Sequence, residues 1–314
     1  MNFISAEQIH QLIKPSELVE KLKLGFASEI TTPLRQHFDI PNPLSARETT
    51  LLMMPSWQQG QDIGIKLVTV VPDSYKYDLP SIQGVYVLMD AVKGNVKAMM
   101  DAPALTAKRT AAASALASQF LSNPKSEELT MVGTGTLSPE LIKAHCAVRP
   151  IKRVNIWGRN IDKAQAVKAK LNHLGVQIDV VEDLAQAVER ADIISCATMS
   201  QTPLIKGEWL KPGQHLDMVG AYRPDMREAD DDCIRRSRVF VDNMQGACKE
   251  TGDIKIPLES GVLSKEQIGA DLFALSRGSY IFTRQSTDIT MFKSVGHALE
   301  DLCAAQLVVN QLTS

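Results

Sequence analysis

The stretch GTGTLS, Gly133 to Ser138, has the residue types of a phosphate-binding turn. LTMVG, residues 129–133, reads as a strand before it. SPELIKAHCAV reads as the helix after it, with Ser138 as N-cap and Pro139 at the first position. A first glycine lets the chain turn tightly, and a second lets the backbone approach a pyrophosphate. The third position of the pattern, here Ser138, needs only a small side chain. The helix start adds free N–H groups and the positive end of a dipole. An ordinary βα turn would use the same glycines, but the flanking strand and capped helix favour a dinucleotide. The next strand ends NIWGRN. Folds that select NAD place an acid there for the ribose 2′-hydroxyl. This chain has Arg159, whose guanidinium suits a 2′-phosphate through a forked contact. A solvated surface arginine is the rival reading; the missing acid tips the expectation to NADPH, with NADH as a second donor.

The elements around this loop set its context. The first hundred residues read mainly as strands after a short helical start. DIGIKLVTVV (62–71) is rich in β-branched residues, and GVYVLMD (84–90) and VKAMMDA (96–102) flank the turn AVKGN, a hairpin signal. They predict an antiparallel or mixed sheet. LTAKRTAAASALASQFL (105–121) is an Ala-rich helix. From Leu129 onward strands and helices alternate. RVNIWGR is a strand, DKAQAVKAKLNHLG (162–175) a helix ended by Gly175, and QIDVVE, ADIISCAT, HLDMVGA and RVFVDN are further strands. That grammar makes a parallel sheet covered by helices on both faces. The last segment, STDITMFKSVGHALEDLCAAQLVVNQL, reads mostly as helix, with Val295, Leu299, Leu302, Ala305 and Val309 at helical spacing. It is expected to return to the first domain. The fold class is therefore α/β: a Rossmann-type domain over residues 119–289, inserted in a split α+β domain of residues 1–118 and 290–314.

Composition excludes several classes. A net charge of −2 with dispersed Lys and Arg leaves no footprint for nucleic acid and no basic membrane patch. MNFISAEQIHQL lacks the order of a signal peptide, and Lys108 and Arg109 interrupt the longest apolar run. Five scattered cysteines without a Cys-x-x-Cys point to reduced thiols in a cytoplasmic protein. No histidine spacing suits a metal, and His145 beside Cys146 reads as packing or surface.

PLRQHF, GIKLVTVVP, LPSIQGVYVLMD, LTAKRTAAASALA, VGTGT, RVNIWGRN, ISCATMSQTPLI, VGAYRPDMREAD and DITMFKSVGHALEDL occur in that order. Together they make the chain similar to the ornithine cyclodeaminase/μ-crystallin family over nearly its full length. The resemblance implies that the split domain binds substrate and forms a homodimer, while the Rossmann domain holds the dinucleotide. It implies a small α-imino or α-amino acid as substrate. Carried over by motif, Arg35, Lys66, Arg109 and Tyr222 would line the substrate pocket, with Lys66 and Arg109 catalytic. The implied cofactor contacts are Gly133, Gly135, Thr136, Leu137, Arg159, Asn160, Thr198, Val219, Gly220, Val295 and Gly296. An arginine can hold a carboxylate by two parallel bonds. Lys66 in a β-branched strand and Arg109 in an Ala-rich helix stand where side chains tend to be buried, and a buried cation needs an anion. Without the resemblance, all three cations would read as surface residues.

One departure bears on the reaction. The family's cyclodeaminases carry an aspartate after VGG that is thought to take part in deamination, and here VGAYRPDM puts Tyr222 at that place. A phenol carries no charge at neutral pH and cannot replace the anion. Asp225 and Glu228 are the nearest substitutes in sequence. The resemblance thus implies NADPH-preferring reduction of Δ1-pyrroline-2-carboxylate to L-proline, and of Δ1-piperideine-2-carboxylate to L-pipecolate. Lys66, its pKa lowered beside two arginines, orients the substrate and could supply the imine proton. The alternatives are an ornithine cyclodeaminase, an alanine-type amino-acid dehydrogenase, and a non-catalytic NADP-binding protein of the crystallin kind, for which a cationic pocket would be needless.

Overall fold

The computed structural model describes residues 3–45 and 47–313. The chain forms two compact units, one of Met1–Arg109 with His297–Ser314 and the other of Thr110–Gly296. The divisions thus fall at Arg109, inside the helix Ala102–Leu121, and at Gly296, rather than at 118 and 290.

The first unit holds β1 (Phe3–Ile4), β2 (Gln36–Ile40), β3 (Thr49–Gln58), β4 (Asp62–Val70), β5 (Ile82–Asp90) and β6 (Val96–Asp101). They make one sheet in the order β1-β6-β5-β4-β3-β2, antiparallel except for β1 against β6. The AVKGN turn joins β5 to β6 as its residues predict. Asp90 Oδ1 accepts the N–H groups of Val92 and Lys93, and Gly94 turns the chain at φ +75°. Along β4 the period of two sends Asp62, Gly64, Lys66 and Val68 to a buried face and leaves Ile63, Ile65 and Leu67 half-buried on the other. The helix Ala298–Thr313 lies over the buried face, where Gln306 Nε2 donates to Asp62 Oδ2 at 3.0 Å. It meets the helix Pro15–Ala27 so closely that a Cβ on Gly25 would stand 2.3 Å from Cys303 Sγ. The opposite face of the sheet carries Phe38, Leu51, Met53, Ile65, Leu67, Val85 and Val87, all half-buried or exposed.

The second unit holds β7 (Glu128–Val132), β8 (Arg153–Trp157), β9 (Gln177–Val180), β10 (Ile193–Cys196), β11 (His215–Met218), β12 (Arg238–Val241), β13 (Ile268–Asp271) and β14 (Thr290–Lys293). All pair in parallel, in the order β13-β12-β14-β11-β10-β7-β8-β9. Read from β9 to β11 this is the doubly wound order, with its reversal between β7 and β10. β7, β10, β11 and β14 are buried along their length, as a sheet covered on both faces requires.

Three local expectations are corrected. Thr290–Lys293 is not helical but is the strand between β11 and β12; an inner strand of a parallel sheet is buried on both faces, so its four residues show no in-and-out alternation. Val295 accordingly precedes the last helix instead of lying within it. The helix after the glycine turn runs Leu137–Val148 with Thr136 as N-cap. Ser138 sits inside its first turn, where its hydroxyl donates to Gly133 O at 2.9 Å and braces the turn. Pro139 is tolerated there because first-turn N–H groups lack helical partners. The helix expected over 162–175 stops at Ala169, and Gly175, at φ +69°, ends the separate 3-10 turn Asn172–Leu174.

His145 is a buried partner, not a surface group: its Nε2 lies 3.0 Å from Asp217 Oδ2, which also accepts from Ser195 Oγ at 2.7 Å. His215, two residues before Asp217, pairs through Nδ1 with Thr290 Oγ1 at 2.9 Å, and burial lowers its pKa from 6.5 to about 3. Between those values the unfolded chain binds a proton that the folded chain refuses, so stability falls as pH drops from about 6.5 to about 3. In urea titrations across this range His215→Asn should lose stability less steeply than the wild type.

Candidate active site

The parallel sheet aligns the carboxyl ends of β8, β7, β10, β11 and β14, and every residue implied as a cofactor contact follows one of these five ends. After β7, Gly133 takes φ +120°, and a Cβ there would lie 2.6 Å from Ala197 O. Gly135 is different: its φ is ordinary, it is exposed, and an added Cβ would meet nothing within 4 Å. Thr136 and Leu137 then open the helix. After β8, Gly158 lets the chain pass close to Thr134, and Arg159 is exposed with no ion pair or hydrogen bond from its side chain among the described residues. Asn160 caps the helix Ile161–Ala169 through Lys163 N–H, which gives it a local duty of its own.

Behind these loops lies a buried polar brace. Glu228 Oε1 accepts from Thr198 N (2.6 Å), Thr198 Oγ1 (2.7 Å) and Cys196 Sγ (3.1 Å). Lys293 donates to Gly220 O and, at 3.0 Å, to Asp253 Oδ2, whose Oδ1 accepts from Glu228 N. Burial pushes the Glu228 carboxyl up, against the pull of Lys293. Val219 and Gly220 follow β11, and Gly220 is packed so tightly that a Cβ would sit 2.1 Å from Thr198 O. The N–H groups of Val295 and Gly296 both donate to Asp242 Oδ2, at 2.7 and 2.6 Å. Tyr222 follows Ala221, which takes φ +48°, and is exposed. Of the two acids near it in sequence, Asp225 is exposed and paired with Arg223, and Glu228 is wholly buried in the brace.

The edge fits a dinucleotide. The turn at β7 offers open space over Gly135 beside a helix start, at the point where the sheet order reverses. Arg159 adds an exposed charge that no acid meets among the described residues.

The first unit holds the cations. Lys66 on β4 and Arg109 in the helix Ala102–Leu121 are both buried, and both are held by acids that no sequence motif had singled out. Asp301 Oδ2 lies 2.7 Å from Lys66 Nζ; Asp301 Oδ1 accepts from Arg109 Nε at 3.1 Å; Glu300 Oε2 accepts from Arg109 Nη1 at 2.7 Å. Burial lowers the Lys66 pKa to about 8; Asp301 pulls it up, and Arg109 and Arg35 push it further down. Burial is thus the main cause, ahead of the two arginines. Burial also pushes Asp301 up, but Lys66 and Arg109 outweigh it and hold the carboxyl below its usual range. His297, half-buried beside this cluster, is lowered to about 4, mainly by burial, and is neutral at pH 7. Arg35 is half-buried and near enough to shift both Lys66 and His297. The sequence did carry a signal for Glu300 and Asp301: two adjacent acids inside the apolar run ALEDLCAAQLVV need buried cations.

A doubly wound parallel unit with a glycine turn at its switch point, in one chain with a split α+β unit that holds a buried cation–acid cluster, defines a Rossmann-type dinucleotide-binding protein of two units. The chain belongs to the ornithine cyclodeaminase/mu-crystallin family, whose profile matches residues 2–314. It is 41% identical over 317 residues to the protein SAR DEFICIENT 4 of Arabidopsis thaliana, covering 98% of this chain and 96% of that one. It is 38% identical over 315 residues to the Delta(1)-pyrroline-2-carboxylate reductase of Colwellia psychrerythraea, covering 99% of each. Among solved structures, Thermococcus litoralis Delta(1)-pyrroline-2-carboxylate reductase in complex with NADH and L-proline matches with a TM-score of 0.92 at 30% identity, over 100% of this chain and 98% of that one.

The two loop glycines separate folding from binding. Gly133→Ala should lower stability by about 1–3 kcal/mol, because it strains the backbone and strikes Ala197 O. Gly135→Ala should leave the melting temperature unchanged and weaken NADH or NADPH binding in a fluorescence titration.

Proposed function

We propose that this chain is an NAD(P)H-dependent imine reductase that converts Δ1-pyrroline-2-carboxylate to L-proline, and Δ1-piperideine-2-carboxylate to L-pipecolate. The observation that carries the reading is Lys66, a buried ammonium whose pKa is brought to about 8 and which is gripped by Asp301. Such a group is charged at neutral pH and loses a proton readily. The likeness to the Colwellia and Thermococcus reductases supplies the substrate class.

Arg109, with Arg35, holds the substrate carboxylate. Glu300 and Asp301 fix the Arg109 guanidinium in advance, so little freedom is lost when the acid binds. Lys66 gives one proton to the imine nitrogen. A bound nicotinamide dinucleotide supplies the hydride to the imine carbon. Hydride and proton together turn C=N into CH–NH, with nothing expelled. Cyclodeamination asks instead for a free acid near the amine; Tyr222 replaces the family's aspartate, Asp225 is tied to Arg223, and Glu228 is spent on the brace. These occupations favour the reductase over the lyase.

Arg159, exposed and without a partner among the described residues, supports NADPH as the preferred donor and NADH as the second. The half-exposed apolar face around Phe38, Leu51 and Leu67 supports a homodimer formed through the first unit. Five free thiols support a cytoplasmic location.

Following NADPH and NADH absorbance with each cyclic imine, beside L-ornithine with NAD, tests the reaction. Ammonia released together with proline from ornithine would overturn it. Lys66→Met should abolish imine reduction, and kcat/KM of the wild type should fall as pH rises through about 8, where Lys66 gives up its proton. Arg159→Asp should weaken NADPH use by one to three orders of magnitude, about 1.5–4 kcal/mol of charge-assisted bonding, and spare NADH. Equal use of both donors by wild type and variant would remove Arg159 from the site.

A further inference from the structure

On the buried face of β4, Asp62, Gly64 and Lys66 stand in a row. Gly64 leaves a gap between the two charged side chains, and the Tyr86 hydroxyl fills it: a Cβ on Gly64 would lie 1.8 Å from Tyr86 Oη. Tyr86 is the cross-strand partner of Lys66 on β5 and is wholly buried. Its hydroxyl has no hydrogen-bond partner among the described residues. The helix above runs parallel to this row of groups. It sets Asp301 on Lys66 at one end and Gln306 on Asp62 at the other. Gln306 Oε1 is likewise buried without a partner. Asp62 Oδ1 in turn accepts from Lys97 Nζ at 2.7 Å, and the Lys97 side chain is 32% exposed.

If packing were the only demand at 86, phenylalanine would meet it without burying an unpaired hydroxyl; Gln306 holds Asp62 through Nε2 and leaves its amide oxygen buried and unpaired. Two such atoms in one layer, lying between an acid and a surface ion pair, have the donors and acceptors that internal water requires. The charged and titratable groups around the hydroxyl are Asp301 and Cys303 from the helix and Asp62 from β4. Burial holds the Cys303 thiol up at about 12, so it stays neutral.

We propose that Tyr86 Oη, bridged through internal water to Asp301 on one side and to Asp62 and Gln306 on the other, is the relay that returns a proton from the Asp62–Lys97 pair to Lys66 after each turnover. The inference rests on Lys66 as the proton donor. One proton leaves Lys66 Nζ for the imine nitrogen. One is passed to Nζ through Asp301, Tyr86 Oη yields its own and takes another from the Asp62 side, and solvent supplies the net proton. Only O–H and N–H bonds change. Tyr86 touches neither substrate nor cofactor in this scheme; it acts through Lys66.

Tyr86→Phe removes the hydroxyl and keeps the ring. The melting temperature should be unchanged or higher, and KM for imine and dinucleotide unchanged. The kcat should fall at least about tenfold, with a larger solvent deuterium isotope effect. Gln306→Met should do the same and serves if the first variant folds poorly. Wild-type kcat and isotope effect in both variants would overturn the relay, as would a loss of kcat that merely accompanies a lower melting temperature and a raised KM. Lys66→Met separates the two ideas. If it still reduces the imine, Lys66 is not the donor and the relay falls with it. If it is inactive while Tyr86→Phe behaves as wild type, only the relay falls.

Discussion

One carboxylate, Asp301, is shared by two buried cations. Withdrawing Lys66 and Arg109 from water costs several kcal/mol each unless an anion meets them, and Asp301 meets both, one oxygen to each, with Glu300 taking the second arm of Arg109. The first unit follows from that constraint. Its sheet must turn the charged face of β4 inward, and its last helix must present two adjacent acids to the same spot. The cluster of Lys66, Arg109, Glu300 and Asp301 balances its own charge. It can therefore stay rigid and folded with no further anion present, the Arg109 guanidinium fixed in orientation by its two acids.

The second unit solves a different problem with different means. Its central strands are buried along their length, and polar groups they carry, Ser195, His215, Asp217 and Thr290, are paired with one another or with His145, while a second set of polar groups lies where the strands end. There each loop is held from behind: Thr198 by Glu228, Gly220 by Lys293, Val295 and Gly296 by Asp242. The glycines at 133 and 220 are needed for close approach to neighbouring backbone, whereas Gly135 faces open space. A single motif thus combines one residue that serves the fold with another free to serve a ligand.

Much of this was legible in the residues, and the limits have physical causes. The glycine turn and the AVKGN hairpin are local, so a few neighbouring residues determine them. The alternation of strands and helices from Leu129 to Val241 is periodic and equally plain. β14 was not: Thr290–Lys293 is flanked in space by β11 and β12 but in sequence by a loop and a helix, and four buried residues carry no period of their own. The apolar run around Glu300 and Asp301 marks them as buried acids, but their partners lie about 190 and 235 positions earlier, and a separation of that length leaves no local sign of which cations they meet. Ser138 stands two residues beyond the actual N-cap, Thr136, because a hydroxyl near a helix start can cap it or brace the turn before it, and composition does not separate the two uses.

The first unit is closed by a helix that lies beyond the whole second unit in the chain. On the ribosome Lys66 and Arg109 emerge long before Glu300 and Asp301, so the two cations wait without their anions while the parallel sheet, contiguous between Thr110 and Gly296, is made. The half that appears first in synthesis is thus completed last. Until the helix Ala298–Thr313 docks, the buried face of β4 stays open to water, and with it the apolar underside of the sheet, a surface on which holding chaperones act.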